Sequence, residues 1–291
     1  MTILVTGATG TVGSAVTAEL AARRIPVRAL TRTPETTHFP AGVTPVGGEL
    51  LDTAAMRTAL DGVSGLFLLS PVAPHELTGT LNTLDLARRA EIANIVYLSV
   101  IHADTFTDPP HFAAKAAAER MIAEADLPAT ILRPGYYMQN DSGEKDRLLG
   151  TGTYTPPIGS RGTLMVDTRD LAEVAAISLA DRDRAAGPLP RETVDVAAPD
   201  TLTGEAVATI WSEALARPIT YGGGDLQVFE SDIGQFVPGW MAHDLRLMFQ
   251  RFQTDGMSTT TASAQRLRDL LQRPMRTYRD FAHETAAAWL S

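Results

Sequence analysis

Short apolar runs containing β-branched residues alternate with longer alanine-rich or amphipathic stretches through the first half of the chain. Such runs are typical of strands buried on both faces, and the stretches between them are typical of helices. Parallel strands need a crossover, usually a helix, so the alternation predicts an α/β fold with a doubly wound parallel sheet. The predicted strands are 2–6, 26–30, 44–50, 65–69, 95–100, 129–133 and 193–198, and the predicted helices are 14–24, 75–91, one ending near 180, and 203–217.

This alternation weakens after residue 135. Segment 150–162 is rich in glycine, threonine and proline and is predicted to be a loop over the site, whereas residues 201–291 have a mostly helical pattern. We therefore predict a larger α/β domain in residues 1–200 and a smaller, mostly helical C-terminal lobe in residues 201–291.

The first predicted strand is followed by glycines at positions 7, 10 and 13, and then by a helical pattern. In that context, Gly7 permits a tight turn, Gly10 lets backbone N–H groups approach a pyrophosphate, and Gly13 lets helix and strand pack closely. The helix N-terminus also favours a phosphate. An ordinary glycine-containing turn is the alternative. We predict a dinucleotide site that includes Gly7, Thr9, Gly10, Thr11, Val12 and Gly13.

The end of the second predicted strand indicates which dinucleotide binds. NAD enzymes usually place a carboxylate there for the ribose hydroxyls, whereas a 2′-phosphate is accommodated by a cation. This chain has Thr31 followed by Arg32, with Arg28 earlier in the strand. A guanidinium can hold a phosphate through two hydrogen bonds, so we predict NADP(H) in preference to NAD(H), the alternative being a solvated loop arginine.

Composition excludes several other classes of protein. No apolar run approaches the length of a membrane span, and the chain enters a core strand at once, so neither a span nor a signal peptide is predicted. The absence of cysteine excludes disulfides and thiolate metal sites, and a cytoplasmic location is expected. A net charge of −9 argues against nucleic acid as a partner. No metal-ligand spacing and no G-x-S-x-G hydrolase motif is present.

Six segments of the chain carry a resemblance to a known family: Thr6 to Gly13, Leu69 to Pro71, the helix around Lys115, Leu132 to Gly135, Val166 to Ala172, and Arg273 to Phe281. Together they resemble the NmrA-like family of atypical short-chain dehydrogenases, which includes quinone-oxidoreductase-like proteins. The resemblance implies a Rossmann-type core, a C-terminal lobe that closes a substrate cleft, and cofactor contacts from the strand ends at Leu69, Ser70, Pro71, Ser99, Pro134, Gly135 and Tyr136.

Common short-chain dehydrogenases carry Y-x-x-x-K on one helical face, with the tyrosine toward the substrate and the lysine toward the ribose. Here the corresponding residues are His111 and Lys115, one of only two lysines in the chain. The resemblance implies that Lys115 contacts the nicotinamide ribose. His111 is either a proton donor or a surface histidine, and Tyr136 either walls the substrate site or packs in the core.

Two functions follow from these residues. The first is NADPH-dependent hydride transfer to a small, hydrophobic, electron-poor acceptor such as a quinone, by a monomer or homodimer, with Lys115, His111 and Tyr136 as the catalytic candidates. The second is a non-catalytic NADP(H) sensor that regulates a protein partner. The tyrosine absent from position 111 favours the sensor, and the retained lysine favours the enzyme.

Overall fold

A computed structural model describes residues 2–291 and has a seven-stranded parallel sheet at its centre. The smaller sheets lie in the second half of the chain. The strands are β1 (Ile3–Val5), β2 (Val27–Thr31), β3 (Val43–Gly47), β4 (Gly65–Leu68), β5 (Asn94–Leu98), β6 (Ala129–Pro134), β7 (Tyr136–Tyr137), β8 (Thr153–Tyr154), β9 (Thr163–Val166), β10 (Glu192–Val196), β11 (Thr201–Leu202) and β12 (Thr220–Tyr221).

Helices connect the sheet strands and make up most of the C-terminal part. They are α1 (Thr11–Ala22), α2 (Thr53–Leu60), α3 (Glu76–Arg89), α4 (Pro110–Glu124), α5 (Lys145–Gly150), α6 (Thr168–Arg184), α7 (Gly204–Ala214), α8 (Leu226–Ile233), α9 (Gly239–Thr254), α10 (Thr261–Leu271) and α11 (Tyr278–Leu290), with a 3₁₀ helix at Met138–Glu144. Side-chain caps fix several starts. Asp52 precedes α2 and accepts from Ala54 and Ala55, and Asp167 precedes α6 and accepts from Arg169.

The strand order of the central sheet is β3-β2-β1-β4-β5-β6-β10. The chain runs outward from β1 to β3, crosses back to β4, and then runs outward in the other direction. The order therefore reverses between β1 and β4, and ligands of such sheets bind in the crevice at the carboxyl ends of those strands. The doubly wound parallel sheet predicted from the sequence is confirmed.

Each face of the sheet is covered by helices. Along β1, the side chains of Ile3 and Val5 join one buried cluster with residues of α1 and α6, while Leu4 joins a second cluster with residues of α2, α3 and α4. This alternation is the two-residue period of a strand, and all three side chains are fully buried. The apolar run at the start of the sequence thus packs against the helices on both faces of the sheet.

A third apolar cluster forms the core of the C-terminal part. It contains Trp211 and Phe281 from the helical segment after residue 200, together with Met138 and Tyr154 from before it. Conversely, Leu267 of α10 packs in the cluster on the central sheet. The division at residue 200 stays a prediction, and the buried clusters cross it in both directions.

Several elements differ from their predicted bounds, among them β3, which ends at Gly47 rather than at residue 50, and α6, which ends at Arg184 rather than near residue 180. Helix α1 begins at Thr11 rather than at residue 14, because Gly10 serves as its N-cap and Gly13 lies within its first turn. The segment 150–162 is not wholly a loop, since β8 within it pairs in parallel with β12.

Candidate functional site

The glycine-rich turn lies at the point where the strand order reverses. Gly7 directly follows Thr6 at the end of β1 and has φ of +62°, a left-handed conformation that favours glycine. A Cβ atom on Gly7 would also lie 3.0 Å from the Leu69 side chain, which follows β4. The turn closes through a 3.0 Å hydrogen bond from the Gly10 backbone N–H to the Gly7 carbonyl. The sequence therefore places this turn in the crevice between β1 and β4.

Helix α1 opens toward this turn with no side-chain cap and no acidic residue in its first turn. Thr9, Gly10 and Thr11 are exposed, whereas Val12 is buried. Uncapped N–H groups and the positive end of the helix dipole make such a helix start a site for an anion. The residues therefore fit the pyrophosphate of a dinucleotide.

Gly13 has a structural task inside α1. A Cβ atom there would lie 2.0 Å from the Gly7 carbonyl oxygen, so only glycine lets the first turn of α1 rest on the turn after β1. The close helix–strand packing expected of this glycine is present, although it lies within the helix rather than before it.

The loop after β2 lies beside the glycine turn. Thr31 is buried, and its hydroxyl accepts from the Thr33 backbone N–H at 3.2 Å, while Thr37 binds the Thr33 carbonyl at 2.8 Å. Arg32 is exposed and has no hydrogen-bonded or ion-paired partner within residues 2–291. A surface groove runs between this loop and α1, lined in part by Thr9, Ser14, Thr37, His38, Phe39 and Pro40.

Arg28 is excluded from a role at this loop. Its guanidinium donates to the carbonyl oxygens of Ala59 and Asp61, which end α2. Orphan carbonyls at a helix C-terminus are satisfied by cations in this way. Arg32 is therefore the arginine of β2 and its loop that remains for a phosphate.

The segment after β4 is held to β1 by a side chain. The Thr6 hydroxyl donates to the Leu69 carbonyl and accepts from the Leu69 N–H, each at 2.8 Å. Ser70 is buried with its hydroxyl 2.6 Å from that of Thr80 on α3, and Pro71 is exposed. The three predicted contact residues, Leu69, Ser70 and Pro71, therefore follow the carboxyl end of β4.

Helix α4 carries the two residues that replace the tyrosine–lysine pair. Nδ1 of His111 is hydrogen-bonded to Oδ1 of Asp244 on α9 at 2.6 Å. The His111 backbone N–H donates to Oδ2 of the same carboxylate at 3.2 Å. Lys115 Nζ donates to Glu76 Oε1 at 2.9 Å. All four side chains are buried. His111 is not the surface histidine that was one alternative, and Lys115 is not a solvated helix residue.

Other predicted contact residues are engaged within the protein. The Ser99 hydroxyl donates to Glu119 of α4, which also holds Arg133 through two hydrogen bonds. A Cβ atom on Gly135 would lie 2.5 Å from the Leu164 carbonyl oxygen. Pro134 ends β6 and is buried. Ser99 and Gly135 are thus accounted for by packing, and neither offers a free side-chain group to a ligand.

Tyr136 lies half-buried in an aromatic cluster that joins the end of β6 to the C-terminal helices. Its ring centroid is 5.9 Å from that of Phe249 and 6.4 Å from that of Phe252, both on α9. Burial raises the pKa of the Tyr136 phenol well above its ordinary value, so this tyrosine stays neutral. The cluster packs Tyr136 against the C-terminal lobe, and part of its ring stays exposed.

Asp141 is a fully buried carboxyl group behind Tyr136. Its Oδ2 atom accepts from Tyr278 at 2.5 Å and from Tyr154 at 2.9 Å, while Oδ1 has no partner within residues 2–291. Tyr278 in turn accepts from the Trp211 indole at 2.8 Å. Burial raises the pKa of Asp141 to about 7, although the tyrosine hydrogen bonds act in the opposite direction.

This carboxyl group predicts a pH dependence of stability. The folded-state pKa of Asp141, about 7, exceeds its ordinary value of 3.8. The contribution of the neutral carboxyl group to stability is therefore complete below pH 3.8 and is lost as the pH rises from there through about 7. Asp141→Asn stays neutral and escapes this loss. The Tm of Asp141→Asn minus that of wild type should therefore be more positive at about pH 8 than at about pH 5. The exposed Asp183→Asn is the control, and a difference independent of pH for Asp141→Asn would refute the assignment.

Sequence reasoning missed Glu76, Asp244 and Asp141. Glu76 and Asp244 lie 39 and 133 residues from their partners, so no local spacing relates the members of either pair. For Asp244, the available signal was a carboxylate within a helix whose buried face is otherwise apolar. Asp170 was part of a recognised segment, and the structure shows that it accepts from the side chains of Arg273 and Arg276, joining two such segments.

Two negative findings concern the part of the chain that is described. Residues 2–291 contain no cluster of three or more His, Cys, Asp or Glu side chains suited to a metal ion. None of the helices described has the length and apolar character needed to cross a membrane.

Seven parallel strands in this order, with a glycine turn where the order reverses, define a Rossmann-type protein of the atypical short-chain dehydrogenase class, whose members bind NAD(P). Within that class, the chain belongs to the NmrA-like family, whose model matches residues 1–282. The resemblance found in the sequence is therefore confirmed across nearly the whole chain.

The relatives include both enzymes and a regulator. The chain is 27% identical to the NAD(P)H azoreductase of Xenophilus azovorans over 292 residues, which cover 99% of both chains. An Escherichia coli NADPH-dependent quinone oxidoreductase, solved with NADPH, has a TM-score of 0.82 and 23% identity, with 100% of each chain covered. The negative transcriptional regulator NmrA, solved with NADP, has a TM-score of 0.79 and 20% identity over 100% of this chain and 99% of that one.

Proposed function

We propose that this protein is an NADPH-dependent oxidoreductase that transfers a hydride to a small, hydrophobic, electron-poor acceptor of the quinone type. The observation that carries the proposal is the buried His111–Asp244 pair, one helical turn before Lys115 on α4. A sensor has no need of an oriented, buried imidazole at the position where related dehydrogenases place their proton donor. The names of the azoreductase and quinone oxidoreductase relatives support the same class of reaction.

The dinucleotide is assigned to the crevice between β1 and β4. The exposed start of α1 at Thr9, Gly10 and Thr11 holds the pyrophosphate, and Lys115 binds the nicotinamide ribose. When bound, NADPH supplies the hydride, and the protein supplies orientation and exclusion of water. The remaining assigned contacts are Gly7, Val12, Gly13, Arg32, Leu69, Ser70, Pro71, Ser99, Pro134, Gly135 and Tyr136, of which Ser99 and Gly135 contribute backbone alone.

The preference for NADPH is assigned to Arg32. Because its guanidinium has no partner within residues 2–291, it is free to bind a 2′-phosphate. Arg32→Ala should cost about 1.5–3 kcal/mol of NADPH affinity, the range for a hydrogen bond to a charged group, and leave NADH affinity nearly unchanged. Calorimetric titration of wild type and Arg32→Ala with NADPH and with NADH measures the two changes in affinity. Equal losses for the two cofactors would refute the 2′-phosphate assignment.

Protonation of the reduced acceptor is assigned to His111. Asp244 holds Nδ1, and within residues 2–291 the ring has no second hydrogen-bonding partner, so Nε2 remains for the acceptor. The Asp244 carboxylate orients the ring through Nδ1, and a proton on Nε2 can pass to the oxyanion that hydride arrival creates. His111 is in this account the proton donor, and Asp244 positions it.

The class of acceptor follows from what position 111 lacks. Without a tyrosine beside the lysine, a simple ketone has no phenol donor to polarise its carbonyl. Quinones delocalise the negative charge themselves and so demand less general acid catalysis. We assign the exposed part of the half-buried Tyr136 ring to the planar acceptor, with the buried Phe249 and Phe252 packed behind it.

The experiment is steady-state NADPH oxidation with a panel of quinones, enones, imines and simple ketones of similar size. We expect quinones to turn over faster than ketones. Faster reduction of the ketone would overturn the acceptor assignment. Tight NADPH binding without oxidation by any acceptor would favour the sensor function, to which the structural similarity to NmrA also points.

A further inference from the structure

Glu76 has a buried carboxylate oxygen that the protein leaves without a partner. The side chain belongs to a residue only 5% exposed, and its Oε1 accepts from Lys115 Nζ at 2.9 Å. Its Oε2 has no hydrogen-bond partner within residues 2–291. A buried acceptor left unsatisfied costs about 1–3 kcal/mol, and more when the group is charged. An isolated structural ion pair would not need this second, unpaired oxygen.

The pair lies at the ligand-binding edge of the sheet. Glu76 is the first residue of α3, which follows the loop after β4, and Thr80 one turn later binds Ser70 of that loop. The 2.9 Å hydrogen bond from Lys115 places the Glu76 carboxylate against α4, the helix that connects β5 to β6. Glu76 therefore sits in the β4–β6 half of the sheet, whereas Arg32 and α1 belong to the β1–β3 half.

Each half of a doubly wound sheet holds one mononucleotide of the bound dinucleotide. The phosphate-binding groups described above assign the adenosine end to the β1–β3 half, so the β4–β6 half faces the nicotinamide end. Two groups of that end both donate and accept hydrogen bonds at adjacent positions, the ribose diol and the nicotinamide carboxamide, and the assignment of Lys115 to the ribose selects the diol. A carboxylate only accepts and an ammonium only donates, so a side-by-side pair of them matches a diol.

We infer that Glu76 and Lys115 together clamp the vicinal hydroxyls of the nicotinamide ribose, with Oε2 of Glu76 accepting from one hydroxyl and Nζ of Lys115 donating to the other. This inference rests on the proposed NADPH-binding function and adds Glu76 as a cofactor-binding residue. The Lys115 ammonium has three N–H donors, and its single bond to Glu76 leaves donors for the ribose. The buried pair also keeps the lysine from swinging toward solvent.

The test is calorimetric binding of two probes, NADP⁺ and adenosine 2′,5′-bisphosphate, to wild type and to Glu76→Gln. The second probe retains the adenosine half but has no nicotinamide ribose. Glutamine is uncharged and has one acceptor oxygen; when that oxygen holds Lys115, an NH2 group that can only donate replaces Oε2, and the hydroxyl loses its acceptor. We expect Glu76→Gln to weaken NADP⁺ binding about tenfold to a hundredfold and to leave binding of the bisphosphate unchanged.

Glu192→Gln is the matched control, because it removes an ion pair with Arg266 at the start of β10, at the opposite edge of the sheet. It should change neither affinity. If Glu76→Gln does not fold, the double variant Glu76→Gln with Lys115→Met leaves no unpaired buried charge and should give the same selective loss. Equal weakening of both probes, or of neither, would overturn the clamp. Failure of wild type to bind either probe would instead overturn the proposed function.

Discussion

Gly10→Ala is expected to weaken NADPH binding severely while leaving the fold intact. Gly10 has φ of −84°, which alanine adopts without strain, and the nearest heavy atom to an added Cβ is the Gly7 carbonyl oxygen at 3.5 Å. The new methyl group fits the protein but occupies the exposed cradle in front of α1, where the pyrophosphate must approach. We expect a loss of about a hundredfold or more in affinity, or about 3 kcal/mol. Calorimetry and thermal unfolding measure the two quantities.

Gly13→Ala is the structural counterpart of that variant. Its Cβ atom would lie 2.0 Å from the Gly7 carbonyl oxygen, a backbone atom that cannot retreat without moving the turn. We expect a loss of about 3 kcal/mol or more in unfolding free energy, measured by urea denaturation. Unaltered NADPH affinity in Gly10→Ala, or unaltered stability in Gly13→Ala, would contradict the division of roles between the two glycines.

The second large effect is expected at the His111–Asp244 pair. Asp244→Asn places an amide where a carboxylate contacts Nδ1 of His111, so the ring loses the partner that fixes its orientation and tautomer. We expect kcat with an imine or ketone to fall about 10²-fold, as general acid catalysis contributes about 10²–10⁴. Quinone turnover should change much less. The KM for NADPH should stay near the wild-type value.

His111→Ala should reproduce this pattern, because Asp244 acts through the ring. His243→Ala is the matched control, since His243 is an exposed histidine of the same helix as Asp244 and pairs with Glu230. A pH profile separates this role from a structural one, as only removal of a titrating acid flattens the profile for the ketone or imine. Equal losses for quinone and imine in Asp244→Asn would contradict the proton-delivery role.

The fold was predictable because its signals are local. The apolar run from Ile3 to Val5 is buried on both faces, and its alternation with helical stretches indicates parallel crossovers wherever it recurs. The start of α1 was placed three residues late, because the glycines were taken as part of the turn. Glycine has low helix propensity, and at position 13 packing against Gly7 overrides that preference.

Of the two buried pairs in the candidate site, only the members on α4 were predictable from the sequence. Lys115 and His111 were identified because the family resemblance places them at the positions of its lysine and tyrosine, four residues apart on one helix. Their partners Glu76 and Asp244 come from α3 and α9, and the pairing depends on how those helices pack. Arg32 was favoured in the sequence by its position directly after Thr31, whereas the α2 carbonyls that engage Arg28 are visible only in the folded chain.

The most direct test of the central claim is an anaerobic single turnover, in which a stoichiometric NADPH complex of the protein is mixed with a quinone. The account predicts oxidation of the bound cofactor in one kinetic phase with wild type, and none above the rate in solution with Gly10→Ala, which does not hold the cofactor. NADPH that stays reduced on the wild-type protein, although tightly bound and mixed with excess quinone, would contradict the claim that the protein is a reductase.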